Sequence, residues 1–294
     1  MHRLSPVFVV AWVFSTASAV CAQESDYAAL RLPRPEKPSI PGLDEIKQPK
    51  LVPGLEDVNP AYGPSLTADM NVLVYAGGGP RYDLYITQRD SVDKPFGPPA
   101  MIISCSHKVF YETFPTISPD GLELLFLRFE PQPRLYYAKR DSTKAEFGDA
   151  IPWAITDALP EGRYPGGPQF VDQQNVQFVT RGATADQNRA ILLTSRGAPG
   201  NSFGEPSVFM NLKGPNPYYL SADRLRAYYG VPSGLYFAAL KPEADTFENP
   251  SKIVDVPIEG PVWLSPKEDI LFYCSPGRGK PVSESNRKLW MLRL

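Results

Sequence analysis

The sequence is poor in the side chains from which most enzyme and metal sites are built. It contains two histidines and three cysteines in 294 residues, and His107 is the only histidine beyond residue 22. A site with several histidine ligands is therefore excluded, and a Ser-His-Asp arrangement would have to use His107. This histidine lies in the polar connection Ser104–Lys108, where a solvated side chain is the simpler expectation.

Phosphate loops, paired cysteine motifs and the dense Asp/Asn/Gly runs of calcium loops are also absent. We therefore predict no metal and no cofactor. Cys105 and Cys274 follow the N-terminal segment, and a disulfide between them is one alternative in an oxidising compartment. Two buried thiols are the favoured alternative, because Cys274 follows Phe272 and Tyr273 in an apolar run.

An excess of charge of one sign is missing as well. The chain has 30 Lys and Arg against 32 Asp and Glu, a formal net charge of -2. Removal of residues 1–22, which contain one arginine and no acid, changes this charge from -2 to -3. Such a balance predicts no electrostatic attraction to nucleic acid or to anionic lipid.

One long apolar run is present, at the N-terminus. A basic residue precedes Val7–Phe14, and small residues follow, which predicts a secretory signal peptide cleaved after Ala22. An uncleaved anchor is an alternative, but Leu4–Ala22 is barely long enough to cross a bilayer. A lipid on Cys21 is a second alternative, weakened by the bulky Val20. We expect a periplasmic or extracellular protein without a membrane span after cleavage.

Helical periodicity is missing from the rest of the chain, and a repeat takes its place. Each of five copies has a turn element, an apolar run with an aromatic residue, and a third apolar element. Four copies end with Phe-Gly or Phe-Glu and a short apolar stretch. The turn elements lie at 65–69, 116–120, 169–173, 219–223 and 263–267. Four strand signals in each unit of roughly 50 residues are typical of a β-propeller blade.

These repeats carry a family resemblance. The run Glu112–Gly121, with Asp83–Ile86 and Phe96–Pro99 upstream, resembles the TolB-like class of periplasmic and secreted propeller repeats. The resemblance covers roughly residues 60–294 and implies the fold rather than an activity. That class includes protein-binding propellers, propeller domains attached to peptidases and many proteins of unassigned role. The third copy departs from it, with Val171–Gln174 in place of the Ser-Pro-Asp-Gly turn.

The number of blades follows from the length of sequence that is left for a further repeat. A sixth blade would need about 45 more residues of pattern, and the spare segment 24–58 holds six prolines and no turn element. The stretch Gln48–Val52 instead resembles the fourth-strand stretch Asn249–Val254, and the chain ends after a third strand. Closure by an N-terminal strand would remove two exposed sheet edges. We therefore predict an all-β, five-bladed propeller closed by the segment 48–53.

The predicted chain has three parts. A signal peptide occupies 1–22, a proline-rich segment occupies 23–47, and the propeller occupies 48–294. The blades are expected near 60–104, 105–156, 157–212, 213–256, and 257–294 together with 48–53.

Carboxylates offer one route to chemistry. The innermost strand of each blade lines the channel, and residues just before it border one mouth, where ligands usually bind. Glu112 and Glu259 hold equivalent places there. Two carboxylates are what glycoside hydrolysis requires, and five-bladed propellers include arabinanase-like furanosidases. No stretch matches the catalytic motifs of those enzymes, so a glycosidase that uses Glu112 and Glu259 is the alternative prediction.

Aromatic and charged residues near the same mouth offer a second route, because they can stack on sugars or anchor a protein partner. The candidate ligand-binding residues are Trp263, Tyr164, Arg163, Glu161 and Tyr218. Trp263 could instead pack between blades as part of the core. The main prediction is a binding module for a protein or a carbohydrate, and a structural envelope component is a third alternative. Basic residues that recur at the end of the third strand in four copies, Arg89, Arg140, Arg196 and Lys241, are expected to serve the scaffold.

Overall fold

The computed structural model confirms the predicted fold. The described residues form five four-stranded antiparallel sheets, and their helical segments are two short 3-10 helices, Ile103–Cys105 and Ala154–Ala158. No helix within this part of the chain has the length and apolarity that crossing a membrane requires. The predicted signal peptide 1–22 and the proline-rich segment 23–47 lie outside the described residues. The structure describes residues 48–79, 81–159, 163–182, 189–212, 219–221, 225–231, 233–241, 246–258, 260–277 and 286–294.

Blades 1 to 4 each use four strands that follow one another in the chain. Blade 1 contains β2 to β5, at Ala61–Leu66, Val72–Gly77, Asp83–Gln88 and Ala100–Met101. Blade 2 contains β6 to β9, at Tyr111–Ile117, Glu123–Phe129, Pro133–Lys139 and Ile151–Pro152. Blade 3 contains β10 to β13, at Arg163–Phe170, Asn175–Gly182, Arg189–Ser195 and Ser207–Leu212. Blade 4 contains β14 to β17, at Tyr219–Leu220, Arg226–Val231, Gly234–Lys241 and Thr246–Val254.

Blade 5 joins the two ends of the propeller and confirms the predicted closure. It contains β18 to β20, at Trp263–Leu264, Ile270–Ser275 and Lys288–Arg293, and its outer strand is β1, at Lys50–Leu51. β1 pairs antiparallel with β20, with Lys50 opposite Met291. The first strands of neighbouring blades contact one another, as β2 does with β6 and β18, so they lie nearest the axis. Each first strand ends within the turn element that the repeat predicts.

The apolar runs of the second strands follow from packing between blades. In β7, Leu124 and Phe126 are buried against blade 1, while Leu127 is buried with Phe178 of blade 3. A strand covered on both faces needs apolar side chains at successive positions rather than at alternate ones. This explains why the sequence shows continuous apolar runs in these strands.

An arginine at the end of the third strand makes the same contacts in blades 1, 2 and 3. Its Nε donates to a carbonyl of the turn between the first two strands, at 2.7 to 3.0 Å. Its guanidinium lies 4.4 to 4.6 Å from the ring centre of the phenylalanine that starts the fourth element. Arginine, turn residue and ring are Arg89, Met70 and Phe96 in blade 1, Arg140, Gly121 and Phe147 in blade 2, and Arg196, Gln173 and Phe203 in blade 3. These basic residues tie each turn to the outer strand, which is a scaffold contact.

Candidate ligand-binding mouth

Hydrogen bonds link the first strands directly around the axis. Ser65 Oγ accepts from the Ile117 amide at 3.1 Å, and it donates to Thr116 Oγ1 at 3.4 Å. Thr116 Oγ1 in turn accepts from the Phe170 amide at 3.2 Å. A side chain of each of these blades thus binds the backbone of the next one, and Ser65 and Thr116 are both buried.

The equivalent positions of blades 3 to 5 hold larger side chains. Gln169 both accepts from the Leu220 amide and donates to the Leu220 carbonyl, each at 3.3 Å. Tyr219 and Trp263 complete the set, and the Trp263 ring lies edge-on to Phe272 at 5.8 Å between centroids. Burial, followed by the nearby charge of Glu268, raises the pKa of Tyr219. We call Ser65, Thr116, Gln169, Tyr219 and Trp263 the axial ring. It contains no carboxylate, and the polar groups of Ser65, Thr116 and Gln169 bind one another or the backbone of the next blade.

Half-buried aromatic residues lie in or beside the first strands of blades 1 to 3. Tyr62 lies edge-on to Phe114, with ring centroids 5.2 Å apart. Tyr111 stacks on Phe129 across the first two strands of blade 2, with centroids 4.6 Å apart and an interplanar angle of 10°. Tyr164 lies at the start of β10 and is half-buried as well. These five residues are the aromatic mouth.

Phe114 adopts an uncommon backbone conformation. Its φ is +52°, in the left-handed region, and the equivalent residue of blade 1 is Gly63 with φ +61°. Both lie at bulges of their first strands. A non-glycine residue there costs about 1 to 2 kcal/mol. The Phe114 ring packs against Gly167, where an added Cβ would come within 2.5 Å of a ring carbon. Close packing of this kind can hold the strained residue in place.

Glu112 lies at the second position of β6 but faces the interface with blade 1. It is 0% exposed, and its Oε1 lies 2.7 Å from Arg128 Nε. The Arg128 guanidinium lies 4.1 Å from the centre of the Tyr136 ring, and its Nη2 donates to the Cys105 carbonyl at 2.9 Å. Burial raises the pKa of Glu112 to about 7, against the lowering effects of Arg128 and the His107 amide.

The predicted site residues lie in different places in the structure. Glu259, Glu161 and Tyr218 lie outside the described residues. Arg163 and Tyr164 are adjacent at the start of β10, and Arg163 Nη1 donates to a threonine of the next strand at 3.5 Å. Trp263 belongs to the axial ring, where it packs against the core between blades 5 and 1.

Sequence reasoning missed most of the aromatic mouth, and it missed Arg128. Counting outward from the pairs nearest the turn, Ile117 with Leu124 and Thr116 with Leu125, would place Glu112 opposite Phe129. The bulge between Thr113 and Thr116 shifts the register by one residue and brings Glu112 opposite Arg128. The Cys105 and Cys274 thiols are free and buried, and burial raises the pKa of each to about 12.

No protein-family model and no curated protein sequence matches the chain. Among solved structures, it is similar to TolB from Acinetobacter baumannii, with 16% identity, 80% of this chain and 55% of that chain covered, and a TM-score of 0.45. It thus spans about half the length of that TolB chain. A second similar structure is an alpha-L-arabinofuranosidase from Podospora anserina, with 12% identity, 84% of this chain and 95% of that chain covered, and a TM-score of 0.45. A third similar structure is a gluconolactonase from Xanthomonas campestris, with 10% identity, 89% of this chain and 94% of that chain covered, and a TM-score of 0.47. At these identities the likeness concerns the fold alone.

Proposed function

We propose that this protein is a periplasmic or extracellular binding module that holds a protein or a glycan at the aromatic mouth. Five half-buried aromatic residues in or beside the first strands of blades 1 to 3 support this proposal. Aromatic rings supply a large contact area with few rotatable bonds, and they suit both sugar faces and protein anchors. Arg163 lies beside Tyr164 and adds a hydrogen-bond donor to the same end.

The axial ring supports binding over hydrolysis. Its hydroxyl and amide groups bind neighbouring strands, and its five positions contain no acid. Glu112 is buried and paired with Arg128. A ligand would therefore meet rings at the mouth rather than reactive groups on the axis.

The test compares the wild type with Tyr111→Ala and Tyr164→Ala on a glycan array that includes arabinan and xylan, and on a displayed peptide library. We expect each variant to weaken the selected ligand by about 30-fold, the effect of losing an aromatic hot spot of about 2 kcal/mol. Tyr137→Ala is the matched control, because Tyr137 is a half-buried tyrosine that bonds Glu123 instead. Unchanged affinity in both mouth variants would contradict the proposal.

A glycosidase is the second candidate, and the pKa of Glu112 supports it. A general acid at neutral pH needs a carboxyl group that stays protonated near pH 7, and burial raises the pKa of Glu112 to about 7. Its full burial and its bond to Arg128 oppose that role. Release of reducing sugar from arabinan or xylan, abolished by both Glu112→Gln and Glu259→Gln, is the result this alternative requires.

A further inference from the structure

The connection between β5 and β6 leads the chain from the outer edge of blade 1 to the aromatic mouth. It spans Ile102–Phe110 and ends directly before Tyr111. The His107 ring stacks on Phe110 with centroids 4.7 Å apart, and its Nδ1 accepts from the amides of Val109 and Phe110 at 3.1 and 3.3 Å. The second half of the connection is therefore organised from within.

The first half of the connection is held by the charged side chain of Arg128. Arg128 Nη2 donates to the carbonyl of Cys105, the last residue of the 3-10 helix in this connection. Glu112 neutralises Arg128 from the opposite side, and its own amide donates to the Tyr82 carbonyl of blade 1 at 2.9 Å. The pair thus joins the connection to both blades.

The scaffold does not require charges at this place. The two positions face each other across the first and second strands: Glu112 lies four residues before Thr116 of the axial ring, and Arg128 lies three residues after Leu125, the residue that pairs with Thr116. The structurally equivalent cross-strand pairs are Ala61 with Gly77 in blade 1 and Pro165 with Thr180 in blade 3. Uncharged residues therefore fill this place in both neighbouring blades, and buried ion pairs seldom add stability over apolar replacements. The charges of blade 2 call for another role.

We infer that Glu112 and Arg128 are positioning residues that hold the β5–β6 connection closed and so fix Phe110 and Tyr111 at the mouth. This inference gives the proposed binding site a means of control, and to that extent it rests on the proposed function. The geometry that carries it is one guanidinium bonded both to the buried carboxylate and to the backbone of the connection.

The charge state of Glu112 gives this role a pH dependence with a defined sign. Among the groups that face the pair, Arg128 and the His107 amide lower the pKa of Glu112, and Asp83 raises it. The Cys105 thiol and Asp149 lie on the side of the connection, and Glu130 lies beyond Tyr136. In an open connection, water would return the carboxyl group towards its ordinary, lower pKa. Ionisation as the pH rises through about 7 therefore favours opening, and protonation favours the closed form.

Cys105 reports on opening without any ligand. Its thiol is buried in the connection, whereas Cys274 is buried in a second strand of blade 5. A buried thiol reacts only after the structure opens around it. The rate at which a thiol reagent labels Cys105, divided by the rate for Cys274, therefore separates local opening of the connection from unfolding of the propeller.

The experiment measures this ratio by mass spectrometry in the wild type and three variants, with amide exchange of residues 103–110 as a second measurement. Arg128→Met and the double variant Glu112→Leu with Arg128→Met should raise the ratio at least about 10-fold. The double variant leaves no unpaired charge, so it should melt at or above the wild-type temperature. Glu112→Gln keeps an acceptor for Arg128 but cannot ionise. Its ratio should stay level between pH 6 and 8, where the wild-type ratio rises.

An unchanged ratio in the folded double variant would overturn the inference, because the connection would then hold without the pair. The same pH profile in the wild type and in Glu112→Gln would overturn the role of the Glu112 charge. Neither measurement involves a ligand, so these outcomes are independent of the binding tests on Tyr111 and Tyr164. Failure of the proposed function and failure of the positioning role are thereby distinguishable.

Discussion

Closure of the ring by β1 predicts a large loss of stability when that strand is removed. β1 pairs with β20, and the Val52 amide then donates to the Leu289 carbonyl at 3.1 Å. The next residue accepts from the Phe96 amide of blade 1 at 2.9 Å. Val52 is fully buried in the core between blades 5 and 1. Deleting residues 23–54 would remove these contacts together.

The expected magnitude follows from these contacts. Burial of the Val52 side chain is worth about 1.5 to 3 kcal/mol, and each lost hydrogen bond adds about 0.5 to 1.5 kcal/mol. The deletion should therefore destabilise the protein by about 4 kcal/mol or more. For a domain of this size, that lowers the melting temperature by about 10 °C or more. It also exposes the edge of β20, which should promote aggregation.

The measurement is thermal unfolding by circular dichroism, with light scattering recorded in parallel. Deletion of residues 23–46 is the matched control, because it leaves β1 and Val52 in place. We expect the control to melt near the wild-type temperature. If the longer deletion leaves the melting curve unchanged, the ring closes without β1 and the reasoning is wrong.

Three further predictions concern packing between blades. Arg196 binds Glu123 of blade 2 through two side-chain contacts, one of them 2.7 Å long, so Glu123→Leu, which leaves Arg196 without its carboxylate, should cost about 3 to 5 kcal/mol in urea unfolding. A loss below about 1 kcal/mol would contradict this. Gly167→Ala should cost about 1 to 3 kcal/mol through its clash with the Phe114 ring, and the added change Phe114→Ala should remove most of that extra cost in a double-mutant cycle. Stability should rise as the pH falls from 8 to 5, because the folded protein raises the pKa of Glu112 to about 7 and binds its proton more tightly than the unfolded chain. This contribution of Glu112 to the free energy of unfolding is present below the ordinary pKa of a glutamate and is lost as the pH rises past 7. A Glu112→Gln variant with the same pH profile of stability as the wild type would refute it.

The sequence predicted the features of the fold that recur. The first strands and the five blades follow from the spacing of the repeat, because every blade must bury the same strands against its neighbours. The β1 closure follows from the likeness of Gln48–Val52 to the fourth-strand stretch Asn249–Val254. Blade 3 forms its turn without the Ser-Pro-Asp-Gly residues: Asp172 accepts from the amides of Gln174 and Asn175 at 2.7 and 2.8 Å. Packing between blades therefore decides the blade, and the turn residues can vary.

The direction of a side chain was harder to predict than the strand that carries it. Bulges shift the register of the first strands, as between Thr113 and Thr116 of β6. A position counted from the turn can then face the neighbouring blade instead of the channel. Glu112 illustrates the consequence, since its spacing suggested the mouth and its side chain is fully buried against Arg128. The identity of its partner, Arg128, needed the three-dimensional packing of Tyr136 and Cys105 as well.

Recurrence offers a physical criterion for separating scaffold from site in this protein. Arg140 is buried and charged, but its contacts recur in blades 1 and 3, so the folding of any blade accounts for them. Arg128 is equally buried, and its counterparts in those blades carry no charge. A buried charge that the repeat does not require must be explained by something local to its blade. In blade 2 the local features are the β5–β6 connection and the start of β6, which lead to the mouth. The unrepeated groups of blade 2 are therefore where variants should separate function from folding.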